Sequence, residues 1–298
     1  MPSVARVVGV LVGVGLGLVG VPVEAAPPES ASAQNEAELI VWSGGKTREE
    51  AERQQEGLKD YLSALSPVLQ AKPAVLESSK VEGLKPGFFI VTLGLCSKDK
   101  VKEPLSLFQA IYPDVYTRTV KYQPGEDLPV LECPQAEEVT EDDSGRPVLW
   151  RLKGAQRVTQ KGKALAGLAF TYEWDQAGDF ARSYFTVKGV YLLIDSKTRQ
   201  LVESKVYDGP SDATTLTSFT SEKERLVTEL DYADPPCSPS GDAFEAWEAR
   251  VVVSIRKDHI ELVQGKPKLT KQGSCGYAEE SRMITGEGRG DDSSTESQ

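Results

Sequence analysis

The chain has 298 residues, 39% of them hydrophobic, and a formal net charge of −11 at pH 7. Nucleic acids and anionic membrane surfaces are bound mainly through clusters of Lys and Arg, so this charge balance argues against both as partners. The length and the apolar content are sufficient for two ordinary hydrophobic cores, and we predict two domains.

Residues 1–25 have the pattern of a secretory signal peptide. Arg6 supplies a positive charge, residues 7–21 are an unbroken run of Val, Leu and Gly, and Val23 and Ala25 are small residues at the positions recognised for cleavage. The run is short for a membrane anchor, which needs about 20 apolar residues. We therefore expect an exported protein, periplasmic or extracellular, with no membrane contact after cleavage. Residues 26–37 are rich in Pro, Ser and Ala, which is typical of a disordered lead-in.

Residues 38–133 alternate strand and helix patterns. A buried strand at 39–42 ends at a Ser-Gly-Gly turn, and Thr47 with Glu50 forms a capping box at the start of a helix. Strand patterns at 74–81 and 88–95 follow, then an amphipathic helix within 97–112 and a last strand at 115–122. The predicted order of elements is βαββαβ.

Two stretches of this region resemble the SPOR (sporulation-related repeat) domain. They are the strand Phe-Ile-Val-Thr-Leu-Gly at 89–94 and the segment Tyr-Pro-Asp-Val-Tyr at 112–116. The resemblance covers residues 38–122 and implies a ferredoxin-like fold that binds the glycan strands of peptidoglycan, stripped of stem peptides, across the open face of its sheet. The first strand departs from the family, because Val41 stands where glutamine is common and Gly44 replaces a serine. The alternative is a protein that shares the topology without binding glycan.

Four residues are candidates for contacting a ligand on the open sheet face. Aromatic rings on such a face suit stacking on sugars, and Trp42 and Tyr116 lie in strands of the predicted sheet. Thr92 and Arg118 are polar residues within apolar strands, which also favours the open face. The alternative for Trp42 is a place in the core, since either Trp42 or its neighbour Val41 has to face the helices.

The four cysteines of this exported chain predict two disulfides. Three pairings are possible, and we favour Cys96 with Cys133 and Cys237 with Cys275 because each pair then lies within one predicted domain. A zinc site requires closely spaced Cys or His ligands, and these cysteines are far apart in the sequence. We predict no metal site.

The second half of the chain changes to strand patterns. An acidic linker is predicted at 134–147, followed by a β-rich domain at 148–279 and a disordered tail at 280–298. Strands are predicted at 148–159, 164–174, 183–194, 201–207, 246–256 and 260–263, with hairpin turns at 195–198 and 257–258. Residues 221–230 fit a helix or a strand. The fold class is thus α+β, a ferredoxin-like domain followed by an all-β antiparallel meander that forms a sandwich or an open barrel.

No catalytic residue or cofactor is predicted. The Ser-Gly-Gly-Lys-Thr at 43–47 lacks the first glycine of a phosphate-binding loop, where Ile40 stands, and a capped helix start explains it. His259, the single histidine, falls at a predicted turn without a nucleophile motif. We expect a non-enzymatic envelope protein that binds glycan strands or another envelope protein. The alternatives are a secreted structural or interaction protein and an exported hydrolase with an unrecognised pair of carboxylates.

Overall fold

The structure, a computed structural model, describes residues 36–125, 127–141, 147–176, 182–211, 213–233 and 243–274. Several predictions fall outside these residues: the signal peptide at 1–25, most of the lead-in, the tail at 280–298 and the pair Cys237 and Cys275. Within the described part, no helix combines the length and the apolar composition needed to cross a membrane.

The first half of the chain contains both helices. Its elements are β1 (Glu36–Gly45), α1 (Arg48–Leu65), β2 (Leu69–Gln70), β3 (Ala74–Glu77), a single 3-10 turn (Ser78–Lys80), β4 (Phe89–Cys96), α2 (Lys102–Ile111) and β5 (Tyr116–Lys121). The predicted cap of α1 is confirmed, because Thr47 Oγ1 accepts a hydrogen bond from Glu50 N at 3.2 Å. The Glu50 carboxylate in turn accepts one from Lys46 N at 2.9 Å, so the glycine-rich turn serves to start a helix.

One antiparallel sheet is built from this half, in the strand order β3-β4-β1-β5. Both helices pack on the same face of the sheet, where Ile40 and Val91 contact Leu58 and Phe108 in one apolar cluster. Alternation along β1 therefore directs Ile40 toward the helices and its neighbour Leu39 to the opposite face.

The second half consists of strands. They are β6 (Gln135–Ala136), β7 (Glu138–Glu141), β8 (Pro147–Leu149), β9 (Arg151–Gln160), β10 (Lys163–Gln176), β11 (Arg182–Asp195), β12 (Leu201–Asp208), β13 (Thr214–Glu222), β14 (Arg225–Ala233), β15 (Ala243–Arg256), β16 (His259–Gln264) and β17 (Lys268–Ser274). The predicted antiparallel meander is confirmed as two sheets, β12-β11-β10-β9 and β13-β14-β15-β16, with β17 also paired to β15.

Turn chemistry explains the hairpins of these sheets. At the end of β11 the Asp195 carboxylate accepts hydrogen bonds from Lys197 N and Thr198 N, within the turn predicted at 195–198. Between β15 and β16, where the second turn is predicted, Lys257 and Asp258 both have positive φ. Residues 221–230 are strand on both sides of a turn, so the strand interpretation is the correct one. The predicted acidic linker at 134–147 contains the short strands β6 and β7.

The sheet β9–β12 is buried on both faces. Leu165, Tyr191 and Leu193 point toward the sheet β13–β16 and form one core with it. Phe170 and Leu192 point the other way and join the cluster that contains the helices. The helices thus lie between two sheets, and the described residues form one compact unit.

Arg157 and Tyr61 make polar contacts that bind the helices to the β-rich half. The Arg157 guanidinium on β9 donates to the carbonyl oxygens of Ala110, at 3.1 Å, and Ile111, at the C-terminal end of α2. A cation at this end of a helix is favourable because the terminal carbonyls carry partial negative charge. The hydroxyl of Tyr61 on α1 donates to the Arg199 carbonyl oxygen at 2.8 Å in the β11–β12 turn.

Candidate functional site

The sheet face that points away from the helices is covered. Leu39 and Val41 on β1 are 0% and 1% exposed, and Val120 on β5 is equally buried. The cover comes from residues 81–84 and from a second stretch, residues 122–125 and 127–133, which we call the covering segment. Leu84, Leu128 and Leu131 pack on the face. The open face that the SPOR resemblance implies is therefore closed over its centre.

The covering segment is fixed to the sheet at its end. The predicted disulfide between Cys96 and Cys133 is confirmed and joins the end of β4 to the end of the covering segment. Next to it, Leu95 N donates to the Glu132 carbonyl oxygen at 3.3 Å. A Cβ atom at Gly94 would lie 2.1 Å from that same oxygen, so only glycine admits the segment this close to the strand.

Trp42 belongs to the core between the sheet and the helices. It is 9% exposed, and its ring lies 5.8 Å from Tyr61, 6.4 Å from Phe108 and 5.3 Å from Tyr112 between centroids. The alternation of β1 directs Val41 to the other face and Trp42 to the helix side. The alternative considered for Trp42 from the sequence, a place in the core, is the one that the structure shows.

Thr92 is also inaccessible to a ligand. It is fully buried, and its Oγ1 donates to the Ile40 carbonyl oxygen at 2.9 Å and accepts from Gly94 N at 3.2 Å. The pairing of β1 with β4 shifts register at this point, which leaves backbone groups without ladder partners. The hydroxyl supplies those partners, so a polar residue in this apolar strand indicates a bulge and not a binding face.

Tyr116 and Arg118 are exposed, as predicted. Tyr116 is 43% exposed, and the Arg118 guanidinium lies 5.1 Å from the centre of its ring. On β5, Tyr116 lies opposite Val41 of β1 and Arg118 lies opposite Leu39, so both side chains are on the covered face of the sheet. They stay accessible because β5 is the edge strand and the cover does not extend over them. Of the four predicted contact residues, the structure thus leaves two adjacent ones accessible.

A larger concavity lies on the other side of the molecule, beside α2. It has a volume of about 1120 Å³ and is bounded by the start of α2, residues 133–138 and the strands β8 and β9. Its floor includes Trp150, which is 5% exposed and lies 4.7 Å from the Tyr172 ring, with the Lys188 ammonium 5.3 Å above it. We call this concavity the α2 cleft.

Some charged side chains that line the α2 cleft have hydrogen-bond partners, whereas others have no ion pair among the described residues. Glu103 accepts a hydrogen bond from Leu152 N at 2.9 Å, and Asp99 is bonded to the Ser97 hydroxyl, which lowers the pKa of this carboxyl. Glu138 and Glu173 complete the acidic lining. Four cations line the cleft without an ion pair to any residue that the structure describes: Lys100, Lys102, Arg151 and Lys153.

A second, smaller cleft of about 410 Å³ adjoins the first. It lies between the starts of β9 and β13, and we call it the seam cleft. Hydroxyl side chains dominate its lining: Thr171, Thr214, Thr215, Thr217 and Ser218. Arg151, Lys153 and Glu173 line both clefts and therefore mark the point where the two meet.

Burial raises the pKa of one described carboxyl, that of Asp231, and this residue lines neither cleft. His259 is exposed at the β15–β16 turn, 3.5 Å from the Glu203 carboxylate. Among the described residues, no group of three or more His, Cys, Asp or Glu side chains is placed to hold a metal ion.

The comparisons with known proteins add no family. No protein-family model, curated protein or solved structure matches the chain.

Sequence reasoning did not find the two clefts, although signals for them are present. Arg151 and Lys153 alternate at the start of a strand, which places both side chains on one face. Four of the five residues at 214–218 are Thr or Ser, which is a second polar signal. Neither pattern indicates that the two strands meet, because that depends on how the two sheets pack.

Proposed function

We propose that this chain is a non-enzymatic protein of the cell envelope that binds another protein and does not bind glycan across its first sheet. The observation that carries this proposal is the covered face, where Leu39, Val41 and Val120 are buried beneath Leu128 and Leu131. A glycan strand lying across the sheet would have to displace the covering segment, which a disulfide holds in place.

The topology of the first half supports a ferredoxin-like assignment. Four antiparallel strands in the order β3-β4-β1-β5, with α1 and α2 on one face, are the arrangement expected of a βαββαβ unit. This fold hosts many unrelated functions, so it supports the shape of the module and leaves its ligand to the site.

Export is part of the proposal. The signal-like residues 1–25 support it, and so does the disulfide between Cys96 and Cys133, since such bonds persist mainly outside the reducing cytosol. The test is mass spectrometry of the protein recovered from the envelope or medium of cells that express the full chain. We expect the mass of a chain that begins at Ala26; a full-length product retained in the cytosol would contradict export.

Glycan binding remains the second candidate, on one observation. Tyr116 and Arg118 are exposed side by side on β5, and an aromatic ring next to a cation suits the edge of a sugar chain. Such a ligand would run along the edge of the sheet and not across it.

Co-sedimentation with purified peptidoglycan separates the two candidates. The mature protein is mixed with cell-wall sacculi before and after amidase removal of the stem peptides, next to its Tyr116→Ala and Arg118→Ala variants. We expect the protein to stay in the supernatant with both preparations. Pelleting with stripped glycan that either variant abolishes would refute the proposal in favour of edge-on glycan binding.

A further inference from the structure

The seam cleft lies between two strand edges that pair with no other strand. β9 ends one sheet, β13 ends the other, and no backbone hydrogen bond joins them within the described residues. Farther along, side chains close the gap: a Cβ atom at Gly154 would lie 2.7 Å from Phe219 Cδ1, and Gln160 Nε2 donates to Glu224 at 2.6 Å. The seam cleft lies beyond these contacts and is lined by Arg151 and Thr215.

The backbone near the start of β9 already binds acceptors from outside its sheet. Trp150 N donates to the Glu137 carbonyl oxygen at 3.2 Å, and Leu152 N donates to the Glu103 carboxylate at 2.9 Å. Both of these backbone donors are therefore occupied, and among the described residues the strand edge left open along the seam cleft is that of β13. An unpaired strand edge is also the usual template for adding an extended peptide.

The charge of the seam differs from that of the protein as a whole. The chain carries a net charge of −11, yet Arg151 and Lys153 stand exposed where the two clefts meet, without an ion pair among the described residues. Glu173 is the one acid among the residues that line the seam cleft, whereas the α2 cleft beyond it holds Lys100 and Lys102 together with further carboxylates. An acidic ligand would neutralise Arg151 and Lys153, whereas a basic one would be repelled.

The lining favours a peptide over a sugar chain. Trp150 and Phe170, the two aromatic residues of the α2 cleft, are 5% and 2% exposed, so neither ring is free to stack on a sugar. In the seam cleft the hydroxyl groups of Thr214, Thr217 and Ser218 already bond within the protein. Those of Thr171 and Thr215 can hydrogen-bond a backbone or carboxylate group of a ligand.

We propose that the seam cleft is a docking site for an extended, acidic peptide segment of a partner protein. The segment adds to the free edge of β13 as a strand, and its carboxylates pair with Arg151 and Lys153 across the cleft. This inference rests on the proposed protein-binding function and names the chemistry of the partner.

The test uses the mature protein and a synthetic peptide of about eight alternating Glu and Val residues, whose carboxylates share one face when the peptide is extended. Nuclear magnetic resonance titration of the 15N-labelled protein reports the site. We expect the amide signals of residues 151–154 and 214–218 to shift, and peptides with Lys in place of Glu, or with prolines at the central Val positions, not to bind. Proline removes the backbone donors that strand addition requires.

A double variant, Arg151→Gln with Lys153→Gln, tests the charges. We expect it to weaken peptide binding by about tenfold, in keeping with two partly exposed ion pairs. The matched control, Lys197→Gln with Arg225→Gln, removes the same charge from exposed positions outside both clefts and should leave binding unchanged. Raising the salt from about 0.05 to about 0.5 M should weaken binding of the wild type more than that of the cleft variant.

Three outcomes would overturn the inference: no titration shift at millimolar peptide, equal binding of the proline peptide, or equal effects of the two double variants. Tighter binding of an oligogalacturonate of matched charge than of the Glu peptide would instead assign the clefts to an acidic glycan. The sedimentation result with peptidoglycan depends on the β5 edge and not on this seam. The two proposals therefore fail independently.

Discussion

Replacing Trp42 with alanine should destabilise the protein severely, whereas replacing Tyr116 should not. Trp42 is almost fully buried and its ring contacts three other rings, while Tyr116 is 43% exposed at an edge. A buried Trp side chain removes on the order of 200 Å² from water, which at about 25 cal/mol per Å² corresponds to roughly 5 kcal/mol. Since large-to-small changes in cores cost about 3 to 5 kcal/mol, we expect Trp42→Ala to lower the free energy of unfolding by that amount.

Urea-induced unfolding followed by circular dichroism measures both variants. We expect Tyr116→Ala to cost less than about 1 kcal/mol, as is usual for an exposed residue whose main contact is a surface cation. Trp42→Phe, which keeps an aromatic ring in the same space, should fall between wild type and Trp42→Ala. A loss below about 1 kcal/mol for Trp42→Ala would refute its place in the core, because no buried indole is removed so cheaply.

Three further predictions follow from contacts at the covering segment and between the two halves. Replacing both Cys96 and Cys133 with Ala removes the disulfide and should lower the free energy of unfolding by about 4 kcal/mol, from the chain-entropy relation for a separation of 37 residues. The variant should also bind more of a hydrophobic dye, because the covered face opens. Unchanged dye binding would contradict the role of the cover. Arg157→Met leaves two carbonyl oxygens at the end of α2 without their donor, so we expect a loss of about 2 kcal/mol in urea unfolding, and a variant as stable as wild type would show that the contact is dispensable. Burial acts to raise the pKa of Glu203, but the hydrogen bond from Ile260 N and the nearby cationic groups outweigh it, so the pKa lies below its ordinary value. The ionised carboxylate therefore stabilises the fold at neutral pH, and this stabilisation is lost as the pH falls through the folded-state pKa. The stability difference between wild type and Glu203→Gln should therefore narrow between about pH 6 and pH 3, and a constant difference would contradict this linkage.

Local elements were predictable because their signals are local. The capping box at Thr47, the turn at Asp195 and the long apolar runs of β10 and β11 each follow from neighbouring residues in the sequence. The same holds for the pairing of Cys96 with Cys133, which needed only the assumption that each disulfide stays within one predicted domain.

The accessibility of the first sheet was not predictable in the same way. The covering segment has no helical or strand periodicity, and only Leu128 and Leu131 indicate that it is anchored to anything. On a sheet without the cover, Thr92 would be expected to face solvent. Beneath the cover, its hydroxyl instead hydrogen-bonds the backbone of a buried bulge. The first strand did carry the correct hint, because Leu39 to Trp42 is apolar on both faces, as a strand covered from two sides should be.

The two clefts depend on packing between distant parts of the chain. Arg151 and Thr215 line the same cleft only because the two sheets pack on each other. A sequence pattern specifies which face of a strand is polar, but not which other strand that face will meet.

The burial of the sheet β9–β12 on both faces has a consequence for how the chain reaches its native state. One of its faces is completed by helices encoded before it and the other by strands encoded after it, up to residue 274. Until the last of these strands has been made and has docked, the sheet exposes an apolar surface that has no partner. Chains that depend on such distant contacts fold slowly and expose surfaces prone to aggregation on the way. A product truncated before β15 should therefore be insoluble, and the intact chain should be prone to aggregation while it is still unfolded.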